Sequence, residues 1–140
     1  QRAVEIMTEV MDASAREPMI YCLPRPENVY AVGPDPLETF ADYFAPVPDA
    51  ARAAGCNEID LSVSDDDGAI SFNVTWCVWL ELATRMGVPE ACQPNCYSDQ
   101  IIVPEYFAEL GIEYTRTQTL ACGGTCCDFH FARERTEHEA

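Results

Sequence analysis

Two short runs of alternating apolar and polar residues, joined by an acidic turn, constrain this chain more than any other feature. Ile59, Leu61 and Val63 alternate with Glu58, Asp60 and Ser62, and Ile70, Phe72, Val74 and Trp76 alternate on the way back. Period 2 is the side-chain period of a half-buried strand, because successive Cβ atoms point to opposite faces. The Asp65-Asp66-Asp67-Gly68 stretch between the runs supplies a turn. An antiparallel hairpin over residues 57–76 is therefore expected. The three aspartates lack the ligand spacing and closing glutamate of a calcium loop, so they read as a solvated turn.

A second hairpin is expected near the C-terminus. Ile112 to Leu120 alternates, Cys122-Gly123-Gly124-Thr125 turns the chain, and Cys126 to Arg133 returns. Between the hairpins, Cys77 to Met86 has helical character with Gly87 and Pro89 beyond it, and a second helix falls between Pro94 and Leu110, stopped by Gly111. Upstream, Val4, Met7, Val10 and Met11 recur at helical spacing, and Pro18 ends that segment. Residues 18–36 are rich in proline and read as extended segments wrapping the core, with Cys22 a packed thiol. Asp35-Pro36 has the form of an N-cap followed by proline at the first helical position, with Leu37, Phe40, Ala41 and Phe44 on one face. A further short helix runs to Gly55.

Strands that pair in hairpins and are separated by helices, without β-α-β alternation, give an α+β fold. The sheet is antiparallel, built from hairpins at about 57–76 and 112–133, with helices covering one face. At 140 residues the whole chain, 1–140, is expected to be a single domain. The charged residues from Glu134 on read as a frayed tail, with His138 solvated.

Charge narrows the partners. The chain carries 24 acidic residues against 8 arginines, a formal net charge of −16, and no lysine. Such a field repels nucleic acid and anionic membranes, and the missing lysine removes Schiff-base chemistry. No apolar run approaches the ~20 residues of a membrane span. No basic stretch followed by an apolar core is visible, so the expected compartment is the cytoplasm. The expected partner is a small-molecule substrate, with a homo-oligomer left open.

Eight cysteines are present, in spacings that match neither a paired CxxC zinc frame nor a small disulfide scaffold. Three carry chemical interest. Cys77 falls where a strand becomes a helix, and Cys96 near the start of the next helix, where the dipole and free N–H groups stabilise a thiolate. Cys96 and Asp99 are three apart and share a helix face. Cys127 alternates with Phe129 and Phe131 toward the core, whereas Cys126, Asp128 and His130 face the other way.

The run FNVTWCVWL, the link MGVPEACQPNCYSDQ and the closing YTRTQTLACGGTCCDFHF together resemble the L-2-amino-thiazoline-4-carboxylic acid hydrolase family over about Asn57 to Arg133. The matching pieces, in order, are the V-T-x-C strand end, the G-x-P-E link, the C-x-x-D pair, the T-x-T-L-A strand and the G-G-x-x-C-D-F hairpin. The closing hairpin is more distantly similar to vinyl-reductase-type small-molecule-binding domains, which are α+β folds. The resemblance implies a hydrolase opening a C–N or C–S bond of a small cyclic amidine or thiazoline-type heterocycle. It carries over Cys77, Cys96, Asp99, Cys127 and Asp128 as the candidate site. Trp76 and His130 stand where the family often has arginine, which motivates a non-catalytic ligand-binding or accessory role as a rival reading.

Three mechanisms follow as expectations. In the first, Cys96 or Cys127 attacks the ring carbon as a thiolate, with Asp99 or Asp128 relaying the proton and His130 a secondary base; Trp76 and Arg116 contact the substrate, and no cofactor is required. In the second, Cys77, Cys96 and Cys127, with Asp99 as a fourth ligand, hold zinc, iron or an iron–sulfur cluster. In the third, the site binds without turning over.

Overall fold

The computed structural model describes residues 2–14, 23–64, 66 and 68–134. Pro18, Cys22, Asp65, Asp67, His138 and the tail from residue 135 on lie outside the described residues.

The chain forms an α+β fold around one four-stranded antiparallel sheet of order β1-β2-β4-β3, with β1 Asn57–Val63, β2 Ile70–Cys77, β3 Ile112–Thr115 and β4 Cys127–Arg133. Both expected hairpins are present, and their inner strands pair with each other, Val74 opposite Cys127 and Ile70 opposite Phe131. The helices are α1 Arg2–Ser14, α2 Pro26–Val32, α3 Pro36–Phe44, α4 Val47–Ala54, α5 Val78–Arg85 and α6 Gln93–Ala108. Single 3-10 turns, Pro89–Cys92 and Leu120–Cys122, precede α6 and β4. Among the described residues no helix is long and apolar enough to cross a membrane.

One sheet face carries the core. Ile70, Ile112 and Phe131 pack against Val29 of α2, Leu37 and Phe40 of α3, and Val103 and Phe107 of α6. The aromatic rings interlock, Phe107 lying 4.8 Å from Phe40 and 4.7 Å from Phe131 between centroids. A second cluster joins Ala51 of α4 to Ile59, Val74 and Cys127. The opposite face carries Ser71, Asn73, Asp128 and His130, as period-2 alternation requires. Ser71 Oγ lies 3.3 Å from His130 Nδ1 there.

The predicted caps explain where α3 and α4 sit. Asp35 accepts from the Leu37 N–H at 3.0 Å, and Pro36 opens α3 with a ring that needs no donor. The Asp35 carboxylate also pairs with Arg133 of β4, which ties the helix start to the sheet and, with the cap N–H groups, holds its pKa below the ordinary value despite partial burial. Gly55 closes α4 at φ +65°, where a side chain would be strained.

Two expectations need correction. The proline-rich stretch is not extended throughout, because Pro26 opens a helix that seats Val29 in the core. The strand expected over Ile112–Leu120 stops at Thr115. Asp128 ends it: its carboxylate accepts from the N–H groups of Thr117 at 3.0 Å and Gln118 at 2.8 Å, and from the Thr117 hydroxyl at 2.6 Å. Those bonds turn the chain away from the ladder.

Candidate active site

A bulge aims Cys77. The register of β2 against β1 slips between Glu58 and Ile59, so Val74 stands opposite Ile59 while Trp76 stands opposite Glu58 and Thr75 is the extra residue. Without the slip, Trp76 would follow Val74 onto the core face and Cys77 would face solvent. With it, Trp76 is exposed and Cys77 packs beside Val74 and Cys127. A bulge re-aims a side chain in just this way. Cys77 then forms the N-cap of α5, with no side-chain capping bond.

Cys96 comes from the first turn of α6, and its partner is Cys92 in the preceding 3-10 turn. The two are four apart on a continuous helical path, which brings their thiols close enough to interact. Cys127 is buried on the inward face of β4, where its sulfur accepts from the Leu120 N–H at 3.4 Å. Three of these thiols, Cys92, Cys96 and Cys127, have a pKa raised above the ordinary value. Burial pushes the Cys96 thiol up to about 12, and nearby Cys92, Cys127 and Asp99 push the same way. Burial also raises Cys92, with Cys77 adding to it. Cys127 is raised by burial, while the Leu120 N–H and the Arg116 guanidinium pull it back. The helix-start position therefore does not make Cys96 a resting thiolate, because loss of water outweighs the dipole.

Arg116 is the cation of the site. It continues the inward phase of Ile112 and Tyr114 one step past the end of β3. Its side chain is only 2% exposed. One guanidinium nitrogen donates to Asp99 Oδ2 at 3.0 Å and another to the Cys96 carbonyl at 2.6 Å, and the group lies 5.2 Å from the Phe129 ring centroid. Its Nε–H finds no acceptor among the described residues. Burial raises the Asp99 carboxyl above the ordinary value, against the pull of Arg116.

Beside this group a cavity of about 230 Å³ opens, lined by Cys96, Arg116, Gln93 and Thr119 and by Val4 and Thr8 of α1. The loop that floors it is tightly fastened. Thr119 accepts from the Cys122 N–H at 3.3 Å, Gln118 accepts from the Thr125 N–H at 2.9 Å, and Gln93 donates to the Ala121 carbonyl at 3.3 Å. Gly124 lets that loop close, since a Cβ there would lie 2.9 Å from the Thr119 carbonyl oxygen.

The structure thus gathers Cys77, Cys96, Cys127, Asp99 and Arg116 on the core side, and adds Cys92, which sequence reasoning passed over although its four-residue spacing from Cys96 was visible. Asp128, His130 and Trp76 lie elsewhere. Asp128 caps the 117–118 loop from the outer face; burial pushes its carboxyl up, but the bonds from Thr117 and Gln118 leave it below the ordinary value. His130 faces Ser71 on that same outer face. Among the described residues no three His, Cys, Asp or Glu side chains converge closely enough to hold a metal ion. The thiols and Asp99 do not fit the expected zinc or iron ligand set, and Asp99 is already engaged by Arg116.

The model of a family described as L-2-amino-thiazoline-4-carboxylic acid hydrolase matches residues 27–131. No curated protein and no solved structure matches the chain. The matched segment extends upstream of the motifs at 57–133, and takes in α2 to β3 and most of β4. With three-quarters of its length in that match, the chain belongs to the L-2-amino-thiazoline-4-carboxylic acid hydrolase family.

Proposed function

We propose that the protein hydrolyses a C–N or C–S bond of a small thiazoline-type or cyclic amidine carboxylate, with Cys96 as nucleophile. The observation that carries this reading is one small cavity lined by the Cys96 thiol and by the buried Arg116 guanidinium, which has one unpaired N–H and is paired with the Asp99 carboxyl of raised pKa. The substrate's carboxylate would meet Arg116, whose fork is suited to planar anions. Its amidine carbon would lie against Cys96.

A thiol held near pKa 12 needs help to ionise. A protonated 2-amino-thiazoline brings that help, because a cation beside a thiol favours the thiolate. Asp99 accepts the Cys96 proton. The sulfur bonds to the ring carbon, the ring C–S or C–N bond breaks, and the proton passes to the leaving atom. Water then breaks the bond between Cys96 and that carbon and releases the opened product, restoring the thiol. Cys127 and Cys92 stay protonated behind the nucleophile.

The test is turnover of L-2-amino-thiazoline-4-carboxylate by single Cys96→Ala and Cys127→Ala variants. Loss of ring opening in the first, with partial activity in the second, is expected; full activity in both overturns the proposal. The protonated resting state of Cys96 favours one rival, a binding protein that keeps the fold without the chemistry. Saturable binding of the compound by the wild-type protein without any turnover would select that rival.

A further inference from the structure

We propose that helix α1 is the substrate-selecting wall of the candidate cavity, with Val4 and Thr8 restricting it to compact, unsubstituted ring carboxylates. The inference rests on the reading that this cavity is where the substrate binds. Val4 and Thr8 are four apart, share one face of α1, and both line the cavity together with Cys96 and Arg116. The family match begins at residue 27, so this wall comes from chain outside the matched segment.

The chemistry of the wall is specific. Thr8 donates its hydroxyl proton to the Val4 carbonyl at 2.9 Å, so the oxygen can only accept from whatever enters. The same cavity is lined by the Arg116 cation, whose free Nε–H needs an acceptor. A ring that carries both a carboxylate and an amino or ring N–H satisfies both groups; a ring with only anionic substituents does not. Val4 sets the size. At about 230 Å³ the cavity lies below the roughly 300 Å³ at which pockets begin to hold drug-sized ligands. Added methyl groups enlarge the ring within a cavity that the Val4 side chain helps to bound.

The experiment compares L-2-amino-thiazoline-4-carboxylate with its 5,5-dimethyl derivative on wild-type, Val4→Ala, Val4→Trp and Thr8→Val proteins. Binding is read by calorimetry and ring opening by product formation. Val4 is half-buried on a surface helix, so these variants are expected to fold, and circular dichroism checks this. Wild type should prefer the unsubstituted ring, and Val4→Ala should erase most of that preference, a shift of about 10–200-fold for one side-chain contact of this kind. Val4→Trp should abolish binding of both compounds, and Thr8→Val should weaken both alike. Unchanged selectivity in Val4→Ala together with wild-type affinity in Val4→Trp overturns the wall. Binding that shifts as described without any ring opening would leave the wall standing and sink the hydrolase reading. Ring opening with no shift would do the reverse, and failure of wild type to bind either compound would overturn both.

Discussion

Replacing Arg116 by methionine probes the ion pair at the centre of the site, and the structure allows its cost to be worked out. Arg116 is almost fully buried, and it is the partner of Asp99 at 3.0 Å. Breaking a buried pair by removing one member costs about 3–5 kcal/mol, since the other charge is stranded. Asp99 keeps 32% of its side chain exposed, so water recovers part of this and the lower end applies. Loss of the bond to the Cys96 carbonyl and of the stacking on Phe129 adds about 1 kcal/mol each. Against these, removing the unpaired Nε–H relieves about 1–3 kcal/mol of uncompensated burial. The net expectation is a loss of about 2–4 kcal/mol at neutral pH.

The pH dependence carries the sharper test. Asp99 already has a raised folded pKa, and losing Arg116 raises it further. A carboxyl that is harder to ionise when folded favours the native state below its unfolded pKa of about 3.9, and that advantage is lost as pH rises through the folded value. The penalty of Arg116→Met should therefore be largest at pH 7 and shrink as the buffer is acidified toward pH 4. Urea unfolding at a series of pH values measures it. Combining Arg116→Met with Asp99→Leu removes both charges and should recover most of the stability at pH 7. A single variant within about 0.5 kcal/mol of wild type, the scatter of ordinary surface substitutions, refutes the reasoning. So does a double variant no more stable than the single one.

Three further outcomes are expected. Gly124→Ala should destabilise by about 1–3 kcal/mol in urea, because its Cβ meets the fixed Thr119 carbonyl and not only the Gln118 side chain. Asp128→Asn should flatten the acid limb of the stability curve: the lowered folded pKa of Asp128 gives wild type a contribution above about pH 3.9 that fades as pH falls through the folded value, and the amide lacks it. Cys92→Ala removes a thiol that holds the Cys96 proton in place, so the pH profile of Cys96 alkylation by iodoacetamide should move down from about 12; an unmoved profile would show that burial alone sets it.

The hairpins were legible because Ile59, Leu61 and Val63 and their counterparts in β2 must alternate if one face is buried, and the Asp35-Pro36 cap was legible because it is local chemistry. The inward phase of Cys127 followed from the same alternation. Cys77 did not, since a bulge at Thr75 shifts the phase by one residue and leaves no mark in the pattern. Asp128 looked like a proton relay, yet its role in the structure depends on three donors from a loop that periodicity had assigned to a strand. The pairing of Arg116 with Asp99 and the place of α1 beside Cys96 depend on how distant segments pack, and no local signal encodes that.

The central claim is that Cys96 bonds to the substrate carbon. Rapid quenching of the protein with L-2-amino-thiazoline-4-carboxylate, followed by intact mass and peptide mapping, tests it most directly. The account predicts a transient adduct on the peptide carrying Cys96, absent in Cys96→Ser. An adduct confined to another cysteine, or full turnover by Cys96→Ser, would contradict it.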